Sequence, residues 1–299
     1  MSQPPPPRRG GGSRDPRRER SSGGRDEPRP RHEDGSGGKL DVPAGAREPI
    51  GRDRARRRGD APPRAVRTAA PPPRPDLPTD EQPLLPRAVE KEIHRTLGKG
   101  TKAEDIALAL SIGSAAIDEG RADVAVEVLA WAKHEAPRIA PVREAYGVAL
   151  YLAEDYAGAL TELQGYRRIT GRIDQNHVVA DCLRALGRDI DQVAAAAEAL
   201  IDDEQAPEDR RAEAVIVWSA ALADSGDVAG GRAILRRFLE RRRSGDAEHD
   251  LRARYLAADL AERARDLAET ERQLELIVAV DPSFLDAEDR LESLRTTGR

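Results

Sequence analysis

The chain repeats itself at an interval of 34 residues, and this period limits its fold more than any other feature. Ile112-Gly113, Ala116, Gly120, Ala125, Leu129 and Ala132 return one period later as Tyr146-Gly147, Leu150, Glu154, Ala159, Leu163 and Tyr166. A period of this length built from two helices marks a stacked helical array, in which each unit buries its apolar face only against its neighbours. Arrays of this kind are mostly surfaces for holding other proteins. The period therefore points to binding and names no partner.

Apolar spacing and turn residues divide the second part of the chain into helices. Val89, Ile93 and Leu97 are four apart on one face of a short leading helix, which Gly98 and Gly100 stop. Thr101 and Glu104 have capping-box spacing and start the next helix, to about Glu119. A second helix from about Arg121 to Glu135 ends at Pro137, because proline cannot continue the hydrogen-bond ladder. Further pairs are expected over 139–170, 174–201, 207–243 and 247–280. The turns fall at positions 120, 154, 187, 226 and 265, so the spacing is 34, 33, 39 and 39. Asp281-Pro282 is expected to open a last helix over 283–295, with a polar outer face that caps the array. All four prolines after residue 86 (137, 141, 207 and 282) fall at expected helix boundaries, and no period-two strand pattern appears.

Residues 1–86 are of another kind. They hold 18 of the 22 prolines, none of the nine aromatic residues and only seven Leu, Ile, Val or Phe. Such a segment buries too little apolar surface to offset chain entropy and reads as a disordered Arg/Pro/Gly-rich tail. It carries 19 Lys plus Arg against 13 Asp plus Glu, whereas residues 87–299 carry 30 against 41. A basic tail on an acidic body can serve as a nucleic-acid or ribosome-binding arm, fold back transiently on its own domain, or simply keep the chain soluble. Arg outnumbers Lys 44 to 5 and Asn176 is the only Asn, a skew that GC-rich coding produces without selection for nucleic acid.

Catalytic chemistry finds no constellation. Cys182 is alone, and His32, His94, His134, His177 and His249 lack a partner at metal-ligand spacing, so neither metal nor cofactor is expected. Gly98-Lys99-Gly100-Thr101-Lys102 lacks phosphate-loop spacing and reads as a helix-breaking linker. The longest apolar stretch, 214–223, is half of the ~20 residues a membrane span needs. The N-terminus lacks the apolar core of a signal peptide. A cytoplasmic, non-enzymatic protein is expected.

These residues resemble the tetratricopeptide repeat. Gly113, Ala116, Gly120, Ala125, Leu129, Ala132 and Pro137 match its pattern, followed by Tyr146, Gly147, Leu150, Ala159 and Leu163. Trp218, Ser219, Leu222, Gly226, Gly231, Leu235 and Phe238 match more loosely. Gln192, Arg254 and Arg265 depart from it. A basic tail before such an array also resembles uncharacterised tetratricopeptide proteins of actinobacteria. The resemblance implies an all-α fold, a right-handed superhelix of about five hairpins plus a capping helix over 87–299. It implies a scaffold or adaptor that holds a peptide or protein in a concave groove lined by first helices. Carried over position by position, that groove comprises Glu144, Val148, Tyr151, His177, Asp181, Arg184, Arg252, Tyr255 and Asp259. The Lys and Asn clamp with which some family members hold a C-terminal carboxylate is missing, since no Lys follows Lys133. Arrays of this kind often self-associate, and Trp131 or Trp218 can lie at such a contact, although core packing is the preferred reading for both.

Overall fold

The computed structural model describes residues 70–78, 81–241 and 247–297. These form twelve helices and no strand. A leading helix α1 (Arg87–Leu97) precedes five hairpins: α2 (Thr101–Asp118) with α3 (Ala122–Glu135), α4 (Ala140–Leu152) with α5 (Tyr156–Thr170), α6 (Asn176–Ala185) with α7 (Ile190–Ile201), α8 (Glu208–Asp224) with α9 (Val228–Leu239), and α10 (Glu248–Arg263) with α11 (Leu267–Val278). Helix α12 (Ala287–Thr297) packs on α11. No helix among the described residues is long and apolar enough to cross a membrane.

The hairpins turn where the sequence marks them, for a local reason. Gly120, Glu154, Gly187, Gly226 and Arg265 all have positive φ, between 61° and 101°. A left-handed residue reverses the chain after a helix, and glycine adopts it without steric cost. Glu154 and Arg265 adopt it with a Cβ, so those two turns are strained. Four of the second helices then start on an aspartate. Asp155, Asp189, Asp227 and Asp266 accept from the backbone N–H of Gly158, Asp191, Gly230 and Glu269. Each such cap stabilises its helix by ~0.5–2 kcal/mol.

Within a hairpin, missing side chains let the helices approach. A Cβ on Gly113 would lie 2.5 Å from Leu129 Cγ, and one on Gly147 2.7 Å from Leu163 Cγ. Leu129 and Leu163 are 0 and 1 % exposed, so each leucine fills the space its glycine leaves. In the fourth hairpin a Cβ on Gly231 would lie 2.5 Å from the backbone oxygen of Ser219. The apolar core forms four successive clusters along the chain, from Leu77–Ala149 to Ala258–Leu291, rather than one centre. The even-numbered helices form a row: α2 packs on α4, α4 on α6, α6 on α8 and α8 on α10.

Three expectations change. Thr101 is the first helical residue, the N-cap is Gly100, and no side chain caps α2, so the capping-box reading is incorrect. The last helix starts at Ala287, not 283. Asp281 accepts from the Ser283 N–H and Oγ–H, Phe284 N–H bonds Asp281 O, and Leu285 takes φ 50°, which makes Pro282 part of a turn. Residues 70–78 and 81–86, expected in the tail, include the buried Leu77 and contact α2 and α3. The rest of the expected tail, 1–69 and 79–80, lies outside the described residues. Trp131 is buried in the first core cluster and Trp218 packs half-buried against the second, as the core-packing reading of both expects.

Candidate functional site

The row of even-numbered helices carries a ladder of polar side chains. Tyr151 on α4 donates to Asp181 Oδ2 on α6 at 2.5 Å. Asp181 Oδ1 accepts from Arg184 Nε at 2.9 Å, and Arg184 Nη1 donates to Asp224 Oδ2 on α8 at 2.9 Å. Asp224 Oδ1 faces Arg263 Nη1 of α10 at 3.7 Å, and Arg263 Nε pairs with Asp259 Oδ2 at 2.9 Å. A second rung joins Arg252 of α10 to Glu213 of α8 at 2.9 Å. A third joins α10 to the last helix: Tyr255 donates to Asp286 at 2.6 Å, Arg290 lies 5.0 Å from the Tyr255 ring centroid, and Arg290 bonds Glu262 at 2.7 Å.

The ladder sits at the edge of solvent. Asp181 is 6 % exposed as a residue, whereas the Asp224 side chain is 42 % exposed. Desolvation works against the Arg184 guanidinium, but the Asp181 and Asp224 carboxylates outweigh it and hold its pKa above the ordinary value. Burial raises the Tyr255 phenol, and its bond to Asp286 adds to that. Both groups keep their ordinary charge at neutral pH.

A second polar cluster lies where α4, α6 and α8 meet. Glu144, Asp174, Gln175, His177 and Arg210 are all buried. Gln175 Nε2 donates to Glu144 Oε1 at 2.8 Å, Tyr166 donates to Asp174 Oδ1 at 3.0 Å, and Arg210 Nη1 donates to the Asp174 backbone oxygen at 2.9 Å. Arg172 pairs with the Asp174 carboxylate. Burial pushes the Glu144 carboxyl from an ordinary 4.5 up to about 7. The Gln175 hydrogen bond opposes that rise, Asp174 reinforces it, and Arg172 and Arg210 oppose it.

The nine groove residues inferred from sequence thus separate. Tyr151, Asp181, Arg184 and Asp259 share the main ladder, and Arg252 and Tyr255 belong to its other rungs. Glu144 and His177 lie in the buried cluster. Val148 is 0 % exposed within the first core cluster, so its reading as an open groove position is corrected. The sequence reading missed Asp224, Arg263, Glu213, Glu262 and Arg290. A signal for two of them exists: Arg184, Asp224 and Arg263 recur at the ends of successive first helices, 40 and 39 residues apart, with alternating charge.

Among the described residues no group of three or more His, Cys, Asp or Glu could hold a metal ion. Cys182 is buried. No protein-family model matches the chain, and no curated protein matches its sequence.

Proposed function

We propose that the chain is a non-enzymatic interaction protein, a right-handed tetratricopeptide-like array whose even-numbered helices line a concave face that holds a peptide or protein surface. The observation that carries this reading is the continuous polar ladder from Tyr151 to Asp259 along that row. Two further features support it. Consecutive even-numbered helices pack on each other, as the inner row of a curved stack must. The spacing of the first turns is the period of that family.

The test is affinity capture from the cell's own extract with the whole chain. The comparison is a variant carrying Asp224→Ser and Arg263→Ser, the more exposed members of the ladder. Loss of a protein partner from a variant with unchanged helix content supports the concave face. Equal capture by both refutes it. Nucleic acid or ribosomes captured equally by both, and released as salt rises, would move the function to the Arg-rich residues before α1.

A further inference from the structure

Residues 70–78 form a strap on the first hairpin, and the way they attach describes a binding site. Five of the nine are proline: Pro71, Pro72, Pro73, Pro75 and Pro78. Proline fixes its own φ near about −65° and confines the preceding residue to extended backbone. A chain so restricted loses little entropy on binding and repeats its side-chain direction about every third residue. Arg74 and Leu77 are three apart and therefore share one edge.

That edge meets three complementary groups. Arg74 Nη2 donates to both carboxylate oxygens of Asp105 on α2, each at 3.0 Å. The same guanidinium lies 6.0 Å from the ring centroid of Trp131 on α3. Leu77 is 6 % exposed and belongs to the core cluster of the first hairpin. Beyond the prolines, the Leu84 N–H donates to Ser111 Oγ of α2 at 2.9 Å. A carboxylate for a cation, an aromatic face beside it and a socket for one leucine are the parts of a peptide-recognition site. The strap forms no helix or strand, and 55 % of the Arg74 side chain is exposed, so solvent reaches the contact.

We infer that the face of α2 and α3 around Asp105 and Trp131 is a recognition site for an extended Pro-Pro-Arg-x-x-Leu peptide, filled in this chain by its own residues 70–78. A partner segment with the same chemistry enters by displacing the strap. Because the strap is tethered, its effective concentration at the site is on the order of millimolar. The site is therefore closed to weak ligands and open to those that outcompete the tether. This site shares no residue with the polar ladder, and its test does not depend on the ladder.

The probe is a fluorescent peptide with the sequence of residues 70–78. The whole chain carrying Arg74→Ala and Leu77→Ala presents the site with its own ligand disabled. We expect this variant to bind the peptide about tenfold more tightly than the unaltered chain, in which the strap competes. A peptide with alanine for its leucine should bind the variant about tenfold more weakly, since it forfeits the buried side chain. Adding Asp105→Asn should weaken binding severalfold. A variant with full helix content that binds no peptide at about 1 mM overturns the inference, as does equal binding by variant and unaltered chain. Should the double substitution unfold the first hairpin, the exposed Arg74→Ala alone decides: it should bind the peptide severalfold more tightly than the unaltered chain, and equal binding overturns the inference.

Discussion

Replacing Glu144 with glutamine should stabilise this protein, and only above mildly acidic pH. The carboxyl is buried against Gln175, and burial raises its pKa from an ordinary 4.5 to about 7. The folded state therefore holds this proton more tightly than the unfolded state does. The stabilisation that follows is complete below about pH 4.5, declines as pH rises, and is gone above about pH 7. Each pKa unit is worth ~1.4 kcal/mol, so the loss across the window is roughly 3 kcal/mol. Glutamine has nearly the same shape, can accept the same hydrogen bond from Gln175, and does not ionise. At pH 8 Glu144→Gln should be more stable than the unaltered chain by up to roughly 3 kcal/mol, or ~6–12 °C in Tm for an array of this size. Near pH 4.5 the two should coincide. Thermal unfolding of both proteins at half-unit steps from pH 4.5 to 8 measures the difference, in which all other titrations common to both cancel. A difference that does not change with pH, or a variant less stable at pH 8, would refute the burial argument.

Further predictions test the packing and the ladder. Gly231→Ala should destabilise the fourth hairpin by about 1–3 kcal/mol, because the new Cβ meets the Ser219 backbone oxygen, which no side-chain rotation can relieve; denaturant unfolding measures it. Glu154→Gly and Arg265→Gly should each stabilise by about 0.5–1 kcal/mol by relieving a left-handed backbone, and a lowered denaturation midpoint would contradict that. Arg184→Ala should cost about 3 kcal/mol, since it deprives the buried Asp181 of its cation; Asp181→Asn in the same chain should recover part of the loss in a double-mutant cycle.

Much of the fold was legible because its signals are local. A turn residue acts within one helical turn, so Gly120, Gly187 and Gly226 marked reversals that the backbone makes at those positions. Glu154 and Arg265 were found only through the period, since neither residue favours the conformation it adopts. Helix starts were less legible. Thr101 and Glu104 have the spacing of a capping box, but the helix begins one residue too early to use it. Pro282 can open a helix or sit in a turn, and the Asp281 side chain decided for the turn by bonding Ser283.

The site residues were harder, because resemblance to a repeat pattern assigns a face and not a contact. Val148 takes a position that would line a groove, yet it is part of the core that the first two hairpins share. Glu144 and His177 lie where polar neighbours from adjoining hairpins bury them. By itself the sequence determined that this chain is helical, where its hairpins turn and which residues let their helices approach, since each of these depends on neighbours in the chain or on one pair of helices. Only the tertiary structure decided which charges meet and which residues before α1 belong to the array. Arg184 and Asp224 are 40 residues apart, and Arg74 and Asp105 are 31 apart. Their pairing depends on the stacking of whole hairpins, which no local pattern encodes.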